Sequence, residues 1–312
     1  MAYYNANRVI KLTRKALGIT QEKLSEGICE VETYSRIENG HRTIRRSTYR
    51  KLMEKMDRNT DRRYAVCVSK DGMLLDEKIE LERAFKRYDY EAAEKYLNIL
   101  KEKVDDNLLT QQYMARVEAL VEYYRGRISA EELIRKLDEA LKITVPEYER
   151  YLNEDIVYPF TKMELLILLN IGNAYRRMGN NARGKFLYLI IFDCLNAGYL
   201  GEQDSTSLQV SVGRSLAKAY AEAQNSMRAL AVVDECLEIA IKSDYGCKIA
   251  EMLVSKANNY GVLVHRGELS KEYLDVASKC LRQAYYLAAA RNEHETMEKV
   301  NRYYSEYFEN EL

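Results

Sequence analysis

The chain has 312 residues and a formal net charge of zero, and 47% of its residues are hydrophobic. This length predicts two or three domains and a core large enough to be stable without disulfides or a metal. The charge is unevenly divided, because residues 1–64 hold 15 Lys and Arg against 8 Asp and Glu, whereas the remainder holds 33 against 40. A basic N-terminal part on an acidic body is what a nucleic-acid contact at one end of the molecule requires.

Cysteine and histidine usage argues against disulfides and metal sites. The six cysteines form no C-x-x-C pair and fall on presumed helices, so they indicate buried thiols in a reducing compartment: Cys29, Cys67, Cys194, Cys236, Cys247 and Cys280. The three histidines lie far apart: His41, His265 and His294. No metal ligand spacing results, and the sequence therefore predicts no metal and no cofactor.

Membrane and catalytic signals are also missing from the sequence. The first residues, MAYYNANRV, contain no apolar run, and the most apolar segments, 165–171 and 186–192, are too short to span a bilayer. No glycine-rich phosphate loop, nucleophile elbow or HExxH motif occurs. We therefore expect a cytoplasmic protein that is not an enzyme.

The N-terminal residues predict a group of short helices. Helices are expected at about 5–17, 21–25 and 31–38, followed by an amphipathic helix after Arg46. Thr20 is a good N-cap, Gly27 supplies a turn, and Gly40 follows the third helix, where a left-handed residue is needed. Two short helices around a glycine turn are the geometry that places one helix in the DNA major groove. The residues expected to face inward are Val9, Leu12, Ala16, Leu24, Ile28, Tyr34, Ile37, Tyr49, Leu52, Met53 and Met56.

The segments GITQEKL (18–24) and SRIENG (35–40) resemble the repressor-type, or XRE-like, helix-turn-helix family. The resemblance covers about the first 56 residues and implies specific roles. Gln21 would clamp a phosphate, Arg14 and Glu38 would join the first helix to the recognition helix, and Val31, Glu32 and Arg36 would face base edges. A basic cluster follows the recognition helix, where related domains meet the DNA backbone: His41, Arg42, Arg45 and Arg46. Thr43 lies within this cluster and is a further candidate DNA contact.

Two carboxylates, Glu30 and Glu32, depart from this pattern at the front of the recognition helix. Carboxylates repel phosphates, and among base donors they accept only from the amino group of cytosine. An alternative therefore stays open, in which the helix-turn-helix is a degenerate module that docks another protein.

Residues 57–75 interrupt the helical pattern, with a polar stretch, one β-like run at Tyr64–Val68 and a turn signal at Asp71-Gly72. We place a linker at 64–75 here. It separates a DNA-binding domain, 1–63, from a helical-repeat domain, 76–312.

The second part of the chain has the pattern of paired helices. Expected pairs are 76–88 with 90–103, 108–126 with 129–143, 161–178 with 181–198, 204–223 with 226–243, and 247–266 with 270–291, before a capping helix at 293–308. Small and aromatic residues recur with the spacing of tetratricopeptide (TPR) repeats: Gly172, Tyr175, Gly184 and Tyr188; Ala217, Tyr220 and Ala229; Ala257, Tyr260 and Ala277. The predicted fold is therefore all-α, a repressor-type helix-turn-helix followed by a TPR-like α-solenoid.

Polar side chains recur on the first helices of these pairs, which line the hollow side of such arrays. Asparagine offers a donor and an acceptor and can hold the backbone of an extended peptide. The candidates are Asn170, Asn173, Arg176, Arg214, Lys218, Tyr220, Asn258 and Asn259. Ordinary exposed residues or cap bonds are the alternative interpretation.

A repressor-type head followed by about five TPR-like pairs resembles the Rgg-like and PlcR-like regulators of Gram-positive bacteria. That resemblance implies a transcription regulator that binds double-stranded DNA as a homodimer and takes part in quorum sensing through a short peptide. Three tyrosines near the end are expected to be exposed and to contribute to the dimer: Tyr303, Tyr304 and Tyr307. The alternative keeps the fold as a TPR adaptor for a protein partner.

Overall fold

The computed structural model describes residues 5–58, 75–102, 107–152, 155–243 and 248–308. Their regular secondary structure is helical, as the sequence predicts. The predicted linker residues 64–74, with the β-like run, lie outside the described residues. The chain divides into two compact units, Met1–Met178 with Leu189–Ser205 and Gly179–Tyr188 with Thr206–Leu312, and each is described by itself.

The head, residues 5–58 of the first unit, contains the four predicted helices. Their bounds are α1 Ala6–Ala16, α2 Gln21–Ser25, α3 Val31–Glu38 and α4 Arg46–Lys55. The side chain of Asn5 caps α1, and the side chain of Thr20 caps α2 by accepting from the backbone N–H of Lys23. Gly27 and Gly40 have φ of +75° and +77°, so both occupy left-handed turn positions that disfavour other residues.

The core of the head is nearly the predicted one. Residues with no exposed surface include Ile10, Leu24, Tyr34, Leu52 and Met53. Leu12, which we expected to face inward, is only partly buried, because it lies at the edge of the α1 face that carries Val9, Thr13 and Ala16. Ile10 completes that core and was not predicted.

Helical pairs follow the head at the predicted positions. The bounds are α5 Leu75–Lys86, α6 Tyr90–Lys101, α7 Leu108–Tyr124, α8 Ala130–Lys142, α9 Lys162–Arg177, α10 Asn181–Asn196, α11 Glu202–Glu222, α12 Ser226–Lys242, α13 Ile249–His265, α14 Tyr273–Ala290 and α15 His294–Phe308. The small residues of the TPR-like motif are fully buried at Ala217, Ala229, Ala257 and Ala277. A small buried side chain lets neighbouring helices approach, which explains the spacing in the sequence.

The described residues between α8 and α9, 143–152 and 155–161, are packed rather than loose. They include a 3-10 helix, Tyr148–Tyr151, and the rings of Tyr151 and Tyr158 stack with centroids 4.2 Å apart. Tyr199 donates its hydroxyl proton to the carbonyl of Phe160 at 2.7 Å. Aromatic packing and this hydrogen bond fix these described residues within the first unit.

Among the described residues, hydrogen bonds join the head to the rest of the first unit at two places. Arg8 Nη1 donates to the carbonyl of Ala197 at 2.7 Å, and the backbone N–H of Asn5 donates to Tyr199 at the same distance. Arg58 donates to the hydroxyl of Tyr151 at 2.9 Å. The head is therefore docked through the start of α1 and the residues after α4.

The last helix corrects one expectation about the tyrosines. Tyr304 is only 6% exposed and belongs to the core formed with α13 and α14, while Tyr303 and Tyr307 are partly buried. Tyr307 lies against Gly261, where a Cβ would come within 2.6 Å of its ring. The expectation of three exposed tyrosines was wrong because α15 uses its aromatic face to pack inside the second unit. No helix in the described part of the chain is long and apolar enough to cross a membrane.

Candidate DNA-binding head and ligand-binding helices

The carboxylate of Glu38 organises the head. Arg14 bonds it in a bidentate way, with Nε 2.6 Å from Oε1 and Nη2 3.0 Å from Oε2. Tyr34 donates to Oε1 at 2.5 Å and Gln21 donates to Oε2 at 2.7 Å. These bonds tie α1 and α2 to the last turn of α3, and the pair expected from the family resemblance, Arg14 with Glu38, is present.

Burial and hydrogen bonding act oppositely on Glu38. Burial alone would raise its pKa, but hydrogen bonds from Arg14, Tyr34 and Gln21 outweigh this effect, and the pKa is lowered. The pKa of Tyr34 is raised, first by burial and then by its bond to Glu38. Glu38 is therefore an ionised acceptor and Tyr34 a neutral donor.

Gln21 is the first residue of α2 and is partly buried. One N–H of its amide is bonded to Glu38, and no other side-chain bond of Gln21 joins it to a described residue. The second N–H is thus left for another acceptor, which suits the phosphate contact that stays a prediction.

The predicted base-facing residues are exposed on α3. Val31 is 37% exposed, and Glu32 and Arg36 are exposed one turn apart on the same helix. In the described part of the chain Arg36 makes no ion pair, so its five N–H donors are available. Glu30 is exposed as well, and the two carboxylates remain at the front of the helix.

The loop after α3 places its charges outward. Arg42, Thr43 and Arg45 are exposed, while Ile44 packs against the core of the head. Arg46 is exposed at the start of α4. The eight predicted DNA contacts therefore all lie on the head. Seven of them are exposed, Gln21 is partly buried, and their contact with DNA stays a prediction.

Within the first unit, a hydrogen bond joins α7 and α9, each of which is the first helix of its pair. Arg116 of α7 donates from Nε to the Oδ1 of Asn170 on α9 at 2.9 Å. Burial lowers the pKa of Arg116, and the nearby Tyr113 and Glu82 partly oppose this effect. Arg116 forms no ion pair with a carboxylate among the described residues. Sequence analysis missed Arg116, since nothing in the local pattern distinguishes it from a solvated arginine. Asn173 and Arg176 lie further along α9 and are partly buried.

In the second unit, Arg214 and Lys248 form ion pairs with Glu251, which is only 8% exposed. Lys248 Nζ lies 2.6 Å from the Glu251 carboxylate. This cluster occupies Arg214, which we expected to contact a ligand. Lys218 is partly buried one turn further along α11.

The remaining candidates of the second unit differ in exposure. Asn259 is 1% exposed and donates to the carbonyl of Ser255 in its own helix at 2.7 Å, so it presents no side chain at the surface. Asn258 accepts from the hydroxyl of Tyr307 at 2.8 Å. The ring of Tyr220 is partly buried, with Lys185 Nζ 5.8 Å from its centroid. Asn258 and Asn259 are adjacent in the sequence, and the sequence alone does not show which of the two side chains faces the interior.

Together these parts define an all-α protein with a helix-turn-helix head and TPR-like helical repeats. Residues 10–62 match the model of the helix-turn-helix family. The structure resembles Bacillus thuringiensis PlcR in complex with the peptide PapR7 and DNA, with a TM-score of 0.62 and 21% identity over 96% of this chain and 99% of that chain. It also resembles the apo form of the competence regulator ComR from Streptococcus vestibularis, with a TM-score of 0.51 and 15% identity over 98% and 99% of the two chains.

A comparison of the sequence with curated proteins found no match. At these identities the similarity to PlcR and ComR shows the fold. The predicted resemblance is confirmed at that level, a repressor-type head with TPR-like repeats.

Proposed function

We propose that this protein is a DNA-binding transcription regulator whose helical repeats bind a short peptide. The observation that carries the first half is the exposed face of α3 beside a basic loop, held on a scaffold that Glu38 organises. Arg36 supplies a fork of donors for a base edge, and Arg42 and Arg45 supply charge for phosphates. The solved structure of PlcR contains both DNA and a peptide, which supports the same combination here.

The peptide site is proposed on the first helices of the first unit. Asn170, Asn173 and Arg176 recur along α9, and Arg116 reaches Asn170 from α7. Arg116 is partly buried and forms no ion pair among the described residues, so an anionic group of a ligand would improve its surroundings. Lys218, Tyr220 and Asn258 remain candidates in the second unit. Arg214 remains a candidate only if its guanidinium binds the ligand and Glu251 together. Asn259 is left out because its side chain is buried.

A homodimer is part of the proposal, because one head covers only a half-site. Two heads on one face of DNA contact half-sites about 34–36 Å apart. The proposed domain limits are 1–63 for the head, 64–75 for the linker and 76–312 for the repeats, in a cytoplasmic protein that is not an enzyme.

Selection from a random pool of duplex DNA tests this proposal directly. The purified full-length protein should enrich a sequence with two related half-sites, and light scattering should show a dimer at micromolar concentration. If no sequence is enriched from the pool, the result would instead support the adaptor function, which the carboxylates Glu30 and Glu32 favour.

A further inference from the structure

One face of α1 holds the end of the recognition helix through polar side chains. Asn7, Lys11 and Arg14 are spaced by four and three residues, so they lie on the same side of the helix. Arg14 bonds Glu38, and Lys11 Nζ lies 3.1 Å from the Oδ1 of Asn39. The third member, Asn7, bonds main-chain atoms instead of a side chain.

The amide nitrogen of Asn7 donates two hydrogen bonds. One goes to the carbonyl of Ile37 in the last turn of α3, and the other goes to the carbonyl of Arg42 in the basic loop, each at 2.8 Å. An asparagine amide has two N–H donors, and both are used here. Asn7 therefore links the end of the recognition helix to the loop that follows it.

The loop has few other restraints. In the described part of the chain, no main-chain hydrogen bond between backbone groups begins or ends at residues 42–44. Ile44 packs partly against the core of the head and is the second restraint on the path of the loop. The backbone of Arg42 is thus held by the side chain of Asn7.

We infer that Asn7 is a positioning residue for DNA binding, which sets the path of residues 42–45 so that Arg42 and Arg45 meet phosphates. Asn7 acts through the backbone and does not itself contact DNA. The inference rests on the proposed DNA-binding function. A simple stabilising role would lower the folded fraction of the head without changing how many phosphates each folded head contacts.

The salt dependence of binding separates the two roles, because its slope reports the number of neutralised phosphates. We would titrate full-length protein with random-sequence duplex DNA of about 30 base pairs at several salt concentrations, a length that covers two half-sites. Asn7→Ala is expected to weaken binding about three- to tenfold, the range that loss of one or two hydrogen bonds gives. It should also flatten the slope by about one counterion. Asn39→Ala is the matched control, since it removes the bond that Lys11 makes to the end of α3 and leaves both bonds of Asn7 intact. Its salt slope should not flatten as that of Asn7→Ala does.

A double-mutant cycle with Arg45→Ala adds a second readout. If Asn7 acts by placing Arg45, the double variant should lose much less than the product of the two single losses. An unchanged slope together with a fully multiplicative double variant overturns the inference. A wild-type protein that binds no duplex DNA overturns the proposed function and the inference together.

Proteolysis gives a test that needs no DNA. Trypsin should cleave after Arg42 and Arg45 faster in Asn7→Asp than in the wild type, because this carboxylate of similar size cannot donate to the two carbonyls. Cleavage in α4, after Arg50, should not accelerate if the head stays folded. Equal loop cleavage in the variant and the wild type would contradict the inference.

Discussion

At the scale of single residues, the strongest constraint on the head is the bidentate bond between Arg14 and Glu38. Both side chains are largely buried, with 12% and 0% of their surface exposed. Removing one partner leaves an uncompensated charge, so Glu38→Ala should destabilise the head by about 3–5 kcal/mol. Hydrogen exchange of α1–α3 in the full chain measures this.

The exposed pair of Arg50 and Glu54 provides the control for that measurement. Arg50 Nε lies 3.3 Å from Glu54 Oε1, and the two side chains are 67% and 58% exposed. Glu54→Ala should therefore change the stability of the head by less than about 1 kcal/mol. A similar loss in both variants would mean that the network around Glu38 has no special role.

Acid should destabilise the head through the same carboxylate. The pKa of Glu38 lies below its ordinary value of 4.5, so its ionised form stabilises the fold above that pH. The contribution is lost as the pH falls through the lowered pKa of the folded state. Hydrogen exchange between pH 6 and pH 3 should show this loss in the wild type, and Glu38→Gln should make the profile flatter at lower overall stability.

Arg36 is the residue of the head that is expected to recognise a DNA base. Arg36 is exposed and without an ion pair in the described residues, so Arg36→Ala should cost about 1–3 kcal/mol on a selected operator if its guanidinium bonds a guanine. Binding to random DNA should change far less. A loss of equal size on both DNAs would make Arg36 a phosphate contact instead.

At the scale of helices, the sequence was a good guide where the determinants are local. Thr20, Gly27 and Gly40 mark the ends of α2 and α3, and buried small residues such as Ala217 mark the helix pairs. Caps and periodicity act over a few residues, which is why the helix bounds agree with the prediction.

Partners across helices could not be predicted in the same way. The bonds of Asn7 and Arg116 join residues at least 30 positions apart, and the burial of Asn259 and Tyr304 depends on which neighbour each side chain meets. A single sequence does not contain those contacts in readable form. The sequence therefore could not predict which of the candidate ligand residues present their side chains at the surface.

The docking of α1 on the first unit makes a testable prediction. Gly198 has φ of +62°, and a Cβ there would come within 2.4 Å of Arg8 Nη1, whereas Gly126 has φ of +73° with nothing within 4 Å. Both Gly→Ala changes place a Cβ in the left-handed region and should cost about 1–2 kcal/mol. Only Gly198→Ala should also displace Arg8 and speed hydrogen exchange at the start of α1.

Exchange in α1 that is equally fast in the Gly198→Ala and Gly126→Ala variants would show that this docking contact does not hold the helix. Arg8→Ala gives an independent check, since it removes the bond to Ala197 without straining a glycine position. We expect it to reproduce the exchange pattern of Gly198→Ala.

At the scale of the whole molecule, the proposed function requires the peptide to change the arrangement of the two heads of a dimer. A ligand can shift such an equilibrium only by as much as its affinities for the two arrangements differ. A tenfold effect on DNA binding corresponds to about 1.4 kcal/mol of coupling. Because coupling is reciprocal, operator DNA must change the affinity for the peptide by the same factor.

Calorimetry measures that reciprocity with a peptide isolated by screening culture extracts against the protein. Operator DNA should change the affinity for the peptide by the same factor by which the peptide changes the affinity for operator DNA. Arg116→Gln and Asn173→Ala should each weaken the peptide and leave DNA binding by the free protein unchanged, since both lie on the repeats and outside the head. Peptide binding that is indifferent to DNA would assign the repeats a docking role separate from transcription control, and unchanged affinity in both variants would move the site away from α7 and α9.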